Sequence, residues 1–235
     1  MRCAAILLAV PLTACGGIAV GGGDPGPRVE RSYPLSGFTR VTNAASADVR
    51  VTTGNGFEVR VSGNEALVDR LEMKVEDGTL RIGAEERSWG WGNQGSATVE
   101  VMMPQIQAAA IVGAGNMTID RGSGDFSADV AGAGDMAIGR IDGNKVRLTI
   151  SGAGDIAAAG NAQMLDASVA GTGSIRAREL MVRGAKVDVA GAGDVTANVD
   201  GDAAVSIAGV GSVDLGHRSR CQVSKAGIGS VKCGN

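Results

Sequence analysis

From Tyr33 onward, apolar and polar residues alternate with a period of two, which is the mark of strands with one buried face. "DVRVTT" (48–53) and "FEVRVS" (57–62) read as two such strands, and Gly54-Asn55-Gly56 between them predicts a tight hairpin turn. Residues 64–70 suit a helical turn. "LEMKVEDGTLRIG" carries a second hairpin signal at Asp77-Gly78, and "SATVEVMMP" is a further strand closed by Pro104.

A repeat then takes over. A glycine-any-glycine unit begins at Gly113, Gly132, Gly152, Gly171, Gly191, Gly209 and Gly227, with successive gaps of 19, 20, 19, 20, 18 and 18 residues. Two positions before each lead glycine stand Ile111, Val130, Ile150, Val169, Val189, Ile207 and Lys225. Four positions after it stand Met117, Met136, Ile156, Ile175, Val195, Val213 and Val231. These short β-branched flanks fit strands better than helices. A strand, a corner and another strand, recurring at this spacing, predict an all-β fold: a β-solenoid (parallel β-helix) of about seven glycine-cornered coils, preceded by a β-rich section over 33–106. At ~4.8 Å per coil the repeats would make a rod of roughly 34 Å. A tandem array of antiparallel hairpins is the competing arrangement.

In the solenoid the glycines are geometric. Either both point inward where two walls converge, or one takes a positive φ to turn the chain. Inward alanines (Ala109, Ala128 and Ala167; Ala158, Ala177 and Ala197) imply a narrow interior. The polar residue after each unit (Asn116, Asp135, Asp155, Ser174, Asp194, Ser212, Ser230) faces outward. Its two readings are a calcium row and a turn residue that satisfies a backbone N–H. The second is favoured, because only Asp135 and Asp155 would stack as neighbouring carboxylates.

Composition sharpens this picture. With 38 glycines in 235 residues and 3% aromatics, the chain departs from ordinary globular usage, and without a three-residue period it is not collagen. A net charge of −3 offers no basic footprint for nucleic acid.

The N-terminus "MRCAAILLAVPLTAC" has a basic start and an apolar run too short to span a bilayer. Leu12-Thr13-Ala14-Cys15 resembles the lipobox of bacterial lipoproteins, which are cleaved before the cysteine and acylated on its sulfur. An ordinary signal peptide cut elsewhere is the alternative. On the lipoprotein reading, residues 1–14 are the signal, Cys15 carries the lipid, and 15–32 are a Gly/Pro-rich tether. Gly16 then points to the outer membrane by the sorting rule lipoproteins imply. Cys221 and Cys233 remain as an even pair in an oxidising compartment. They stand six residues before and six after Gly227, in inward columns, so a disulfide should bridge the last coil. Lys225 in that coil puts a charge in an inward column and would discourage further strand addition.

No catalytic set, cofactor site or metal cluster emerges. His217 is the one histidine, in the polar segment "GHRSR". The one contact-site signal is Trp89 and Trp91 in "RSWGWGNQG". They suit stacking on sugar or insertion at a membrane interface, and equally a lid over the open end of the core.

The stretches "FTRVTNAASADVRVTTGNGFEVRVSG", "VEDGTLRIG" and "ATVEVMMP", the "GAGN", "GAGD" and "GTGS" corners, and the closing "CQVSKAGIGSVKCG" resemble the autotransporter adhesin, head GIN domain family of bacterial envelopes. The resemblance covers about Tyr33 to Cys233. It implies a β-helical or β-solenoid fold on secreted or lipid-anchored chains and brings no catalytic residues. The expected role is a non-catalytic binding, adhesin-like or scaffold module. Its partners would be the membrane, through the lipid, and an envelope polysaccharide or protein. A polysaccharide-acting enzyme on a β-helix is the alternative.

Overall fold

The computed structural model describes residues 27–84 and 97–234. The elements in chain order are β1 (Arg28–Tyr33), β2 (Arg40–Asn43), β3 (Asp48–Thr53), β4 (Glu58–Asn64), α1 (Glu65–Val68), β5 (Leu71–Glu76), β6 (Thr79–Ala84), β7 (Ala97–Met103), β8 (Ala108–Ile111) and β9 (Met117–Ser123). They continue with β10 (Phe126–Val130), β11 (Met136–Ile150), β12 (Ile156–Gly171), β13 (Ser174–Gly191), β14 (Asp194–Asp214) and β15 (Arg220–Lys232). All fifteen strands join in one continuous hydrogen-bonded sheet.

The repeat region is a β-solenoid. β11, β12, β13, β14 and β15 pair in parallel, each with the next, and the lead glycines fall in register: Gly171 beside Gly191, Gly191 beside Gly209, Gly209 beside Gly227. Parallel pairing at a shift of one repeat excludes the hairpin array. Along each strand burial alternates, as period-two patterning requires. The column two before the lead glycine, Ile111 to Ile207, and the column four after it, Met117 to Val213, are all buried. Each such Val or Ile contributes about 2 kcal/mol of apolar burial. The small inward residues Ala109, Ala128, Ala158, Ala167, Ala177 and Ala197 are also buried, so the interior is slim and filled by side chains.

The glycine corners work through the neighbouring coil. The carbonyl of each lead glycine accepts an N–H from the following coil: Ala153 to Gly132 at 2.9 Å, Thr172 to Gly152 at 2.9 Å, Ala192 to Gly171 at 2.8 Å. A Cβ on Gly152 would lie 2.2 Å from the Gly132 oxygen, and one on Gly171 2.1 Å from the Gly152 oxygen. The second glycines meet the same obstacle, Gly154 at 2.0 Å from the Gly134 oxygen. The obstacle is therefore axial, the backbone of the previous coil, rather than a converging opposite wall. Positive φ also operates, at Gly171 (154°), Gly191 (138°), Gly209 (142°) and Gly227 (142°).

The solenoid begins earlier than the glycine repeat. β2 and β3 form a coil with the glycine-free corner Ala44-Ala45-Ser46-Ala47. β2 lies parallel to β8, and β3 parallel to β9. Buried Asn43 organises that corner: its Oδ1 accepts from the Ala45 N–H (3.1 Å) and its Nδ2 donates to the Ala47 carbonyl (2.8 Å). The glycines of the next corner, Gly113 and Gly115, lie against these backbones.

Two sequence expectations change in this part of the chain. β3 and β4 are strands, but they do not form a hairpin. β7 lies between them, parallel to β3 and antiparallel to β4. Val49 pairs with Val99 and Val99 with Val61, so the same apolar alternation serves either pairing. The four residues 54–57 are long enough to cross the inserted strand. The tether also ends sooner than Ser32, because Arg28–Tyr33 is a strand paired antiparallel with β4, with Val29 and Tyr33 packed on the core. The Asp77-Gly78 hairpin forms as expected, both residues at positive φ (48° and 70°), joining antiparallel β5 and β6. Asn64 caps α1 by accepting from the Ala66 N–H at 2.9 Å.

Two substitutions separate corner geometry from glycine content. Gly171→Ala should lower stability by about 3 kcal/mol, from positive φ and the clash with the Gly152 carbonyl. Gly56→Ala, with nothing within 4 Å of its Cβ, should stay within about 0.5 kcal/mol of wild type in denaturant melts. Equal losses would refute the axial-contact account.

Candidate functional site

The outward polar position forms a ladder. Asn116 Oδ1 accepts from the Asp135 N–H (3.1 Å), Asp135 Oδ1 from Asp155 (2.9 Å), Asp155 Oδ1 from Ser174 (2.8 Å) and Asp194 Oδ1 from Ser212 (2.8 Å). Each side chain thus caps a backbone donor one coil further along. The ladder starts at Asp48, whose carboxylate accepts from Asn116 Nδ2 at 3.2 Å. Asp48 escaped the sequence pattern because its corner lacks glycine. Asp155 also pairs with Arg176 at 2.8 Å, so its second oxygen is engaged as well. Among the described residues no group of three or more acidic, histidine or cysteine side chains is placed to hold a metal.

The last coil has the expected staple. Cys221 and Cys233 form a disulfide with a Cα separation of 6.2 Å, closing the two arms of the coil on each other. Lys225 stacks over Ile207 in the inward column but is exposed, since β15 pairs only with β14 among the described strands, and its Nζ donates to the Gly229 carbonyl at 2.9 Å. Asp214, in the coil before, faces Arg178 (3.3 Å) and Lys232 (3.8 Å). Burial pushes its carboxyl up, but the Gly216 N–H and the two cations outweigh this and hold it below the ordinary value. His217 lies exposed in the turn between the last two strands. Cys15, Trp89 and Trp91 lie outside the described residues.

A concavity lies on the outer face, at the second bend of the coil, about half a coil from the glycine corner. It is a groove of about 580 Å³ that crosses β11, β12, β13 and β14. Asp142, Asn161 and Met181 stand in register along one side. Gln163, Arg183 and Asp200 line the remainder. Gly143, Ala162 and Val182, also in register, make the floor between them. A Cβ on Gly143 would lie 2.0 Å from the Gly124 oxygen, so this bend too is held by close backbone approach. The hydrogen bond from Arg140 (2.7 Å), and after it Asn161, keep the Asp142 carboxyl below its usual range. Asp200 pairs with Arg218 at 3.7 Å. Sequence reading missed these residues because the second bend has no fixed motif: its spacing and residue types change from coil to coil.

The family model described as "Putative auto-transporter adhesin, head GIN domain" matches residues 37–217. The chain belongs to that family. Three solved structures share the fold of this head GIN domain protein. One, described as a "putative adhesin" from Bacteroides fragilis, is 21% identical, covers 88% of this chain and 97% of its own, and superposes with a TM-score of 0.81. A "putative lipid binding protein" from Parabacteroides distasonis is 20% identical with a TM-score of 0.61, over 89% of this chain and 98% of its own. A "putative adhesin" from Parabacteroides merdae is 16% identical with a TM-score of 0.62, over 89% and 97%. Comparison with curated proteins gives no match.

The ladder and the staple each carry a prediction. Asp155→Asn, which keeps an acceptor for Ser174, should be near neutral, whereas Asp155→Ala should cost about 1 kcal/mol in denaturant melts. A calcium row would show the reverse sensitivity: loss of calcium-dependent stabilisation in the Asn variant. For Asp214 the folded value is depressed below that of the unfolded chain. Its stabilisation is therefore complete above the ordinary carboxylate range and is lost as pH falls through the folded value. Hydrogen exchange should show β15 losing protection in acid. Asp214→Asn should already have lower protection at neutral pH and a flatter acid response.

Proposed function

We propose that this head GIN domain protein is a lipid-anchored cell-envelope module that binds through its outer surface and performs no chemistry. The observation that carries this reading is the state of the interior. The buried polar side chains among the described residues are Asn43, Asn64 and Ser219, and each is spent on backbone geometry. None is left without a hydrogen-bond partner. Apolar side chains fill the interior among the same residues, so a ligand would be met at the outer surface. Family and structural neighbours named as adhesins or binding proteins support the same reading and favour an envelope or surface location. The neighbour named as lipid-binding adds that a lipid would have to dock outside, since side chains fill the core.

The anchor rests on Leu12-Thr13-Ala14-Cys15, and Gly16 supports an outer-membrane destination. Trp89 and Trp91 remain candidate contact residues; quencher access to their fluorescence separates a surface site from a lid. Palmitate should label the wild type and send it to the membrane fraction, while Cys15→Ser should be unlabelled and soluble. Envelope polysaccharides incubated with the protein should be retained without change in chain length. Depolymerisation would convert the assignment to the enzyme alternative, and an unlabelled soluble wild type would remove the anchor.

A further inference from the structure

We infer that the groove at the second bend of the coils is a subsite for a neutral, polyhydroxylated oligosaccharide lying along the solenoid axis. The inference rests on the reading of this domain as a binding module and names the place and the ligand class.

The chemistry of the lining selects among ligands. Asn161, Gln163 and Arg183 present amide and guanidinium planes, each able to meet two neighbouring hydroxyls with two atoms at once, and Asp142 and Asp200, paired with Arg140 and Arg218, add further acceptors. Met181, 47% exposed, supplies a soft apolar contact for the C–H face of a sugar ring. Arg140 and Arg218 already pair with the two carboxylates, so neither calls for a cation, and with Arg183 the site holds three cations against two acids, too small an excess to require an anionic ligand. A peptide strand is a poor fit. The floor residues have their backbones paired coil to coil, which leaves no edge to augment, and Met181 is the single apolar anchor. An acyl chain fits worse, against a lining this polar.

Spacing supports the axial orientation. The lining residues come from four successive coils, which recur at ~4.8 Å. That rise is close to the length of one pyranose unit, so successive sugars meet successive coils. The volume of about 580 Å³ is in the range of small-ligand sites. With no aromatic platform among the lining residues, the single-site affinity should be weak, in the millimolar range, and useful mainly when many copies sit on one membrane.

The test uses the full-length protein in detergent. Calorimetric titration is run with neutral, amino-sugar and uronic-acid oligosaccharides of four to six units. The variants are Asn161→Ala with Gln163→Ala, both exposed in wild type, and Gln222→Ala on the last coil as a control. Binding of neutral oligosaccharides, weakened at least tenfold in the double variant and unchanged in the control, is the expected result. Binding that survives the double variant overturns the site but leaves the binding-module reading intact. Preference for uronic-acid chains, or no binding to any of the sugars, overturns the ligand class. Retention of envelope polysaccharide by the wild type, measured in parallel, shows whether the module reading falls with it.

Discussion

At each glycine corner an N–H must reach the carbonyl of the coil before it, and that carbonyl occupies the place where a side chain's first carbon would stand. The distances of 2.0–2.4 Å from the ideal Cβ positions to the Gly113, Gly132, Gly134, Gly152 and Gly171 oxygens express one requirement repeated down the axis. Glycine is the one residue that lets the hydrogen bond form at that approach. Its entropic cost on folding is offset by the parallel ladder on both sides of the corner and by the apolar columns that the turn brings together. The outward Asn and Asp residues then satisfy donors that the tight bend leaves without a partner in the strand pattern.

A stack of identical rungs has two ends, and the ends are where this chain becomes irregular. At the N-terminal end the first coil turns on alanines and one buried asparagine. β7, β4 and β1 extend one arm of that coil, while the β5–β6 hairpin extends the other. At the C-terminal end there is no such cover: β15 pairs only with β14 among the described strands, and its residues are largely exposed. Chemistry substitutes for packing there. A disulfide ties the arms, and Lys225 sits where a Val or Ile would otherwise be bare to water. Both devices discourage the addition of another strand at an open edge.

The two bends of the coil divide the labour. The glycine corner is uniform, because every coil must solve the same contact. At the second bend the chain runs through with register shifts in β11, β12 and β13, and residue types vary from coil to coil. Variation in residue type on a paired backbone is what a solenoid uses to build a surface: the coil-to-coil pairing fixes where side chains stand, and the sequence decides what they offer. The groove of Asp142, Asn161, Gln163, Met181, Arg183 and Asp200 arises in this way, on a framework whose interior is filled by apolar side chains.

The repeat was legible in the chain itself, since a period of 18–20 residues with alternating flanks leaves few ways to bury the apolar columns. So were the Cys221–Cys233 bridge, by parity about Gly227, and the Asp77-Gly78 hairpin, whose turn requires those residue types. Local pattern could not reveal which strand lies beside β3, because Val49, Val61 and Val99 alternate identically and β7 comes from more than thirty residues further along. Nor could it show the first glycine-free coil, where Asn43 holds a corner of alanines by bonding two of their backbones. The groove was out of reach for the same reason: its residues lie about twenty apart in sequence, share no motif, and become neighbours only when the coils stack.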